Sequence, residues 1–290
     1  MGFITVPTIS MMNMGISAAI AIFLPIVLLI MWKQKKHVKL SPFFIGALIF
    51  IVFALVLESI CHQFFLVKDS ALSRFMNGNT VAYVLYASFA AGIFEETGRF
   101  IAFKLFLKKE NGKETSITYG IGHGGIESIL LVGLSMVSTL FLVYTLNTMG
   151  GMDAYLAKLP AETQEILQPS LAALYTTSPI LYLIGGLERV AAIVLHIALS
   201  VFVFFAAKRS GKLYLYPAAI VLHAFVNVFA ALYQKQIINV AITEIAVFVF
   251  TALIAYAAYR LYQNDKPQAE MAIEPATPTT ESIIESDTTQ

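Results

Sequence analysis

The sequence predicts an all-α fold, a polytopic membrane bundle of about seven transmembrane helices. Of 290 residues, 58% are hydrophobic and 13% charged, and the mean hydropathy of +0.76 is above what a soluble domain tolerates. Apolar stretches of roughly 20 residues, enough to cross ~30 Å of hydrocarbon as helix, recur along the chain. Lys and Arg gather in alternate loops between them. Strands with open edges would leave backbone groups unpaired in lipid, so the class is all-helical.

The expected spans are Met11 to Trp32, Pro42 to Leu66, Thr80 to Leu107, Thr115 to Leu146, Ser178 to Ala207, Leu213 to Tyr233 and Ile237 to Tyr262. The first is a membrane span and not a cleaved signal, because no positive side chain precedes it and the first is Lys33. Lys33, Lys35, Lys36 and Lys39 follow span one, Lys108, Lys109 and Lys113 span three, Lys208, Arg209 and Lys212 span five, and Arg260 and Lys266 the last. The other loops hold only Lys68, Arg74, Lys158 and Lys235, which predicts a multi-pass cell-membrane protein with its N-terminus outside and its C-terminus in the cytoplasm. Trp32 and Tyr233 read as interface anchors.

Two segments fall outside the spans. The loop from Asn147 to Thr177 places Leu167, Leu171 and Leu174 at helical spacing after Pro160, an amphipathic pattern that suits lying flat on the membrane or covering an opening. From Asn264 to Gln290 the chain turns Pro-, Thr- and Glu-rich and reads as a disordered cytoplasmic tail. The organisation is thus a transmembrane domain over 1–263, with a core region at 80–233, and a tail over 264–290.

Composition also excludes functions. With 19 Lys+Arg against 18 Asp+Glu the formal charge is +1, so there is no basic surface for nucleic acid. The lone Cys61 excludes a disulfide framework and a cysteine-rich zinc site. No glycine-rich phosphate loop follows a strand, which disfavours a nucleotide enzyme. The expected partners are membrane lipid and a membrane protein or peptide substrate.

The functional signal is ionisable residues inside the spans, where each costs about 2.5–3.5 kcal/mol on insertion scales unless partnered or used. Span three carries Glu95, Glu96 and Arg99, span four His123 and Glu127, span five Glu188, Arg189 and His196, and span six His223 and Asn227. At ~1.5 Å per residue from each cytoplasmic boundary, Glu95, Glu96, His123, Glu127, His196 and His223 fall in one layer roughly 11 to 17 Å deep. By the same count Glu188, Arg189, Glu58 and His62 lie nearer the outer face, roughly 24 to 30 Å deep, where structural pairing or local hydrogen bonds account for them. The i,i+4 pairs Glu95/Arg99, His123/Glu127 and His223/Asn227 each share a helix face. Glycines 120, 122, 124 and 125 would let span four approach its neighbours closely.

Carboxylates and imidazoles in one dry layer suit hydrolysis, which needs an activated water and a donor for the oxyanion. Zn²⁺ held by His and Glu, with a free carboxylate as base, is one arrangement; direct polarisation of water by Glu and His is the other. Structural ion pairs and satisfied bundle histidines are the bland alternatives.

On these residues the chain resembles the CPBP superfamily of intramembrane proteases, the type II CAAX-protease or Abi group, and within it the YhfC-like intramembrane metalloproteases. Glu95-Glu96 with Arg99 matches the double-glutamate motif, Glu127 resembles the end of the second motif, His196 with Ser200 resembles the third, and His223-xxx-Asn227 matches the last. The Arg spacing is EExxR where the superfamily has EExxxR, and the second motif ends in Glu where it often ends in His. Either of Glu95 and Glu96 can therefore take the water-activating place. The resemblance implies an intramembrane metallopeptidase: Glu95 or Glu96 activates water, Glu127, His196, His223 and His123 are metal ligands or polarising partners, Arg99 positions the carboxylates, and Asn227 orients His223 or donates to the oxyanion. Zn²⁺ is the implied cofactor. A proton-coupled transporter would use the same residues as a relay, but no inverted repeat with broken helices is visible. A non-catalytic scaffold of the same fold is the third reading.

Overall fold

The computed structural model describes residues 5–265, and among them are ten helices and no strand. The acidic segment from residue 266 onward, expected to be a disordered tail, lies outside the described residues. We number the helices α1 (Thr8–Lys36), α2 (Ser41–Val67), α3 (Ala71–Gly78), α4 (Thr80–Ile101), α5 (Glu114–Thr148), α6 (Met152–Leu156), α7 (Ala161–Thr176), α8 (Pro179–Lys208), α9 (Leu215–Gln234) and α10 (Val240–Gln263). Six of them, α1, α2, α5, α8, α9 and α10, are long and apolar enough to cross a membrane. The remaining expected span is α4, 22 residues long, whose apolar character is lowered by Glu95, Glu96 and Arg99. It packs mainly along α9.

The order of burial defines the architecture. In α8, 78% of the most apolar stretch is buried inside the protein, against 17–33% in the other spans, so α8 is the central post and the rest face lipid on one side. Around it stand α1, α5 and α10, while α2 packs on α5 and α4 on α9. Phe202, Val203, Phe204 and Phe205 of α8 join Phe103, Tyr119 and Leu215 in the main core.

Helix α1 contains Pro25, which cannot donate to the Ala21 carbonyl one turn back. Ser128 of α5 fills the gap, donating from Oγ to Ala21 O over 3.0 Å. Higher on the same helix Ser17 donates to Tyr182 O at 2.5 Å and Asn13 to Pro179 O at 2.8 Å, tying α1 to α8. In lipid such bonds satisfy backbone and fix helix pairing together.

The glycines of α5 behave as the sequence suggests. A Cβ on Gly122 would stand 2.0 Å from the Phe43 carbonyl oxygen of α2, and one on Gly124 would stand 3.0 Å from the His196 Cβ of α8. Without them α5 could not lie between these two helices. Short π-helical stretches, Ile51–Glu58 and Gln63–Val67 in α2, Ala102–Phe106 after α4 and Ser128–Gly133 in α5, went unanticipated. Such widened turns recur at functional sites and where a helix departs from straightness.

The loop expected to lie flat on the membrane or to cover an opening packs on the protein. Leu171 of α7 is buried with Leu146 and Leu156, and Leu167 and Leu174 pack against that cluster. Its apolar stripe caps the ends of α1 and α5 through Leu174, Tyr175, Val6 and Val143. Near the same end of the bundle as α3, His62 contacts Glu58 at 3.3 Å and Tyr86 Oη at 2.9 Å, the local pairing expected of both.

Candidate metal centre

Adjacent residues on a helix project about 100° apart, so Glu95 and Glu96 of α4 serve different neighbours. Glu96, fully buried, accepts from Arg99 Nη1 at 2.8 and 2.7 Å through its two oxygens. Its Oε1 also lies 2.8 Å from His223 Nδ1 of α9. Glu95 faces the other way, with Oε2 2.9 Å from His123 Nε2 of α5 and 3.7 Å from His196 Nδ1 of α8. The expected i,i+4 pairing of Glu95 with Arg99 is therefore replaced by an i,i+3 pair with Glu96. The charge of Glu96 is matched by a cation, and that of Glu95 is met only by imidazoles.

Arg99 links the two halves. Its Nη2 lies 3.1 Å from His196 Nδ1, and since a guanidinium only donates, Nδ1 must be the bare nitrogen of that ring. The ring proton is left to Nε2, which contacts Glu127 Oε2 at 2.5 Å. The same reasoning applies at His223: Glu96, paired with Arg99, is an acceptor, so His223 Nδ1 donates and Nε2 keeps its lone pair. The rings of His123 and His196 are 4.9 Å apart and those of His196 and His223 5.5 Å apart, so three helices present imidazoles to one space.

Glu95, His123 and His196 each offer a ligand atom within 4.8 Å of the other two, and all three are buried. Two His and one carboxylate is a donor set for a tetrahedral Zn²⁺-type ion. Bonds of 2.0–2.2 Å place ligand atoms about 3.3–3.6 Å apart, close to the 2.9 and 3.7 Å found here. His123 Nδ1 is buried without a hydrogen bond among the described residues, so the polar capacity of the cluster is not exhausted by its internal pairs. The residues present fit such an ion.

The remaining site residues stand around this triad. Glu127, read from the sequence as a metal ligand, lies behind His196, where its carboxylate orients the ring from Nε2. His223, read the same way, is bound to Glu96 instead and is outside the triad. Asn227 is half-buried and makes no hydrogen bond to His223 among the described residues. Arg189, assigned by depth to a structural role near the outer face, reaches Glu127 Oε1 at 2.8 Å and Glu188 at 2.7 Å. It thereby completes a chain from Glu188 to His196. A count of backbone rise could not find it, since a long guanidinium side chain reaches residues well off its own level.

Among known proteins, the family model described as "YhfC intramembrane metalloprotease" matches residues 20–247. A protein of Bacillus subtilis (strain 168) described as "Uncharacterized membrane protein YhfC" is 37% identical over 254 residues, which is 86% of this chain and 96% of that protein. No solved structure matches.

Proposed function

Because the chain belongs to the YhfC intramembrane metalloprotease family, we propose that it is an intramembrane metallopeptidase that hydrolyses a peptide bond within or beside the bilayer. The observation that carries this reading is the convergence of Glu95, His123 and His196, from three helices, on one buried point. Those three residues would hold the ion, and Zn²⁺ suits their donor set. What such an ion supplies when bound is Lewis acidity toward water and toward a peptide carbonyl.

The chain's own residues do the rest. Arg99 pins Glu96, and Glu96 takes the Nδ1 proton of His223 into a hydrogen bond, which fixes the tautomer. His223 Nε2 is thus the base that accepts a proton from the attacking water and returns it to the leaving amine, with Glu96 acting through it. On this reading Glu95 is the ligand and Glu96 the water-activating partner. Glu127 and Arg189 hold His196 with its proton on Nε2, which leaves the Nδ1 lone pair to accept from Arg99 or to bind the ion. Asn227, one turn from His223 and free of its own hydrogen bonds among the described residues, donates to the oxyanion. The lysine-rich ends of the spans face the cytoplasm, so the N-terminus is outside.

The test is metal analysis of detergent-purified protein beside His196→Ala, together with cleavage of a labelled library of single-span peptides in vesicles. Near-stoichiometric Zn²⁺ lost in the variant, and cleavage lost with it, is the expected result. Equal metal content in the two proteins, or cleavage that persists in the variant, overturns the proposal.

A further inference from the structure

On the opposite faces of α5 and α8 from the metal centre there is a cavity of about 460 Å³ between α1, α5, α8 and α10. Its walls are Ile117, Val194, Ile197, Ala198, Val201 and Ala255. None of these offers a polar side chain. Along α8 its lining runs from Val194 to Val201, roughly 10 Å at 1.5 Å per residue, which is part of the ~15 Å of one leaflet's hydrocarbon. The walls therefore require an apolar chain and not a soluble ligand.

The mouth has the opposite character. Lys35 and Lys36 stand there with Trp32, Tyr259 and Tyr262. Three other cations at this end of the bundle are engaged: Lys39 with Glu110, Arg209 with Asp265, and Lys113 with the Tyr262 carbonyl and over its ring. Lys35 and Lys36 are exposed and have no carboxylate partner among the described residues. The rim is also fixed in place, since Trp32 donates from Nε1 to Thr118 Oγ1 at 3.1 Å and Tyr262 Oη reaches Glu114 at 3.2 Å. An apolar slot within one leaflet, bordered by aromatic rings and two ammonium groups without carboxylate partners among the described residues, is complementary to an amphiphile with an anionic head.

We propose that this cavity is a binding site for an anionic glycerophospholipid of the adjoining leaflet, with an acyl chain between α8 and α10 and its phosphate on Lys35 and Lys36. It is independent of the metal centre and of the peptidase reading. The tail beyond residue 265 also carries carboxylates, Glu270, Glu274, Glu281, Glu285 and Asp287, but few apolar side chains with which to fill the slot.

Trp32 is the only tryptophan and lines the cavity, so its fluorescence reports on this place alone. The full chain is reconstituted in phosphatidylcholine vesicles containing either brominated phosphatidylglycerol or brominated phosphatidylcholine, and quenching is followed against mole fraction. The expected preference for phosphatidylglycerol is about fivefold for each lysine. K35E/K36E, on exposed positions that leave folding intact, should bring the two lipids to parity. A255F, which fills the slot, should reduce quenching by both. Equal quenching in the native protein overturns the proposal, as does a preference that survives K35E/K36E or quenching that A255F leaves unchanged.

Discussion

Arg189 donates to Glu127 Oε1 over 2.8 Å, and the other oxygen of that carboxylate touches His196 at 2.5 Å. A buried carboxylate that orients a metal-binding imidazole needs its own charge balanced, or the orienting group becomes the expensive element of the site. Arg189, 62 positions from Glu127, thus acts on His196 without itself touching the triad.

Arg189→Met should therefore weaken zinc binding by about 10–100-fold, the usual effect of losing such a supporting contact. Glu188→Gln, which removes only a half-exposed partner of the same guanidinium, should change it little. Competition against a chelator of known affinity reads both. Unchanged zinc affinity in Arg189→Met would exclude the supporting role.

The two adjacent carboxylates should separate in the same assay. Glu95→Gln removes a ligand and should abolish stoichiometric metal in a protein that still elutes as folded. Glu96→Gln should retain the metal and lose cleavage, because His223 no longer has a carboxylate to hold its Nδ1 proton. It should also unfold at lower temperature, since Arg99 is left as a fully buried charge without its partner, a loss of about 3–5 kcal/mol. The reverse pattern of metal contents would exchange the roles assigned to Glu95 and Glu96.

The shared layer of Glu95, Glu127, His196 and His223 was legible because helix rise is regular and each of these side chains is short enough to stay near its own level. The same arithmetic missed the reach of Arg189, which exceeds a turn, and helix periodicity gave Arg99 the i+4 choice, Glu95, where the structure has i+3, Glu96. That choice depends on His123 and His196 occupying the side of Glu95 that Arg99 would need, which is tertiary information. The spans were legible from hydropathy alone, with α4 the weakest because its function is written in charged residues. The π-helical turns have no signature in residue type, and the cap formed by α7 has the same amphipathic pattern as a helix lying on lipid.

Glycine substitutions should rank by what the new Cβ meets. Gly122→Ala drives it to 2.0 Å from a backbone oxygen of α2, which cannot swing aside, whereas Gly124→Ala meets the His196 side chain at 3.0 Å. Overpacking of this kind costs about 1–3 kcal/mol, with Gly122 at the upper end. Gly124→Ala should displace His196 and lower metal affinity more than stability. Gly185→Ala, with open space around it, is the control and should be neutral. Thermal midpoints in one detergent test the order, and an equal loss at Gly122 and Gly185 would contradict it.

Acid should act on the end of α10 outside the spans. The hydrogen bond from Arg209 holds the Asp265 carboxyl below its ordinary value of 3.8. A depressed folded-state pKa means the contribution is complete above the unfolded value and is lost as pH falls below about 4. The pair is partly solvated, so the effect is under about 1 kcal/mol. Native protein and Asp265→Asn should thus differ in thermal midpoint at pH 7 by an amount that shrinks as pH falls below about 4; a difference that does not shrink with acid would locate the effect elsewhere.

The link between Pro25 and Ser128 permits a test of how the bundle satisfies its backbone. Ser128→Ala alone leaves the Ala21 carbonyl without any donor, since Pro25 offers none, and should cost about 1 kcal/mol. Pro25→Ala alone supplies a backbone N–H that can reach that carbonyl within α1, but it loses the packing of the proline ring beneath Gly125. Combined, the serine is redundant, so Ser128→Ala should cost close to nothing in the Pro25→Ala background. The double-mutant cycle cancels the packing loss and isolates the coupling. Strict additivity would mean that Ser128 does not substitute for the missing helical hydrogen bond.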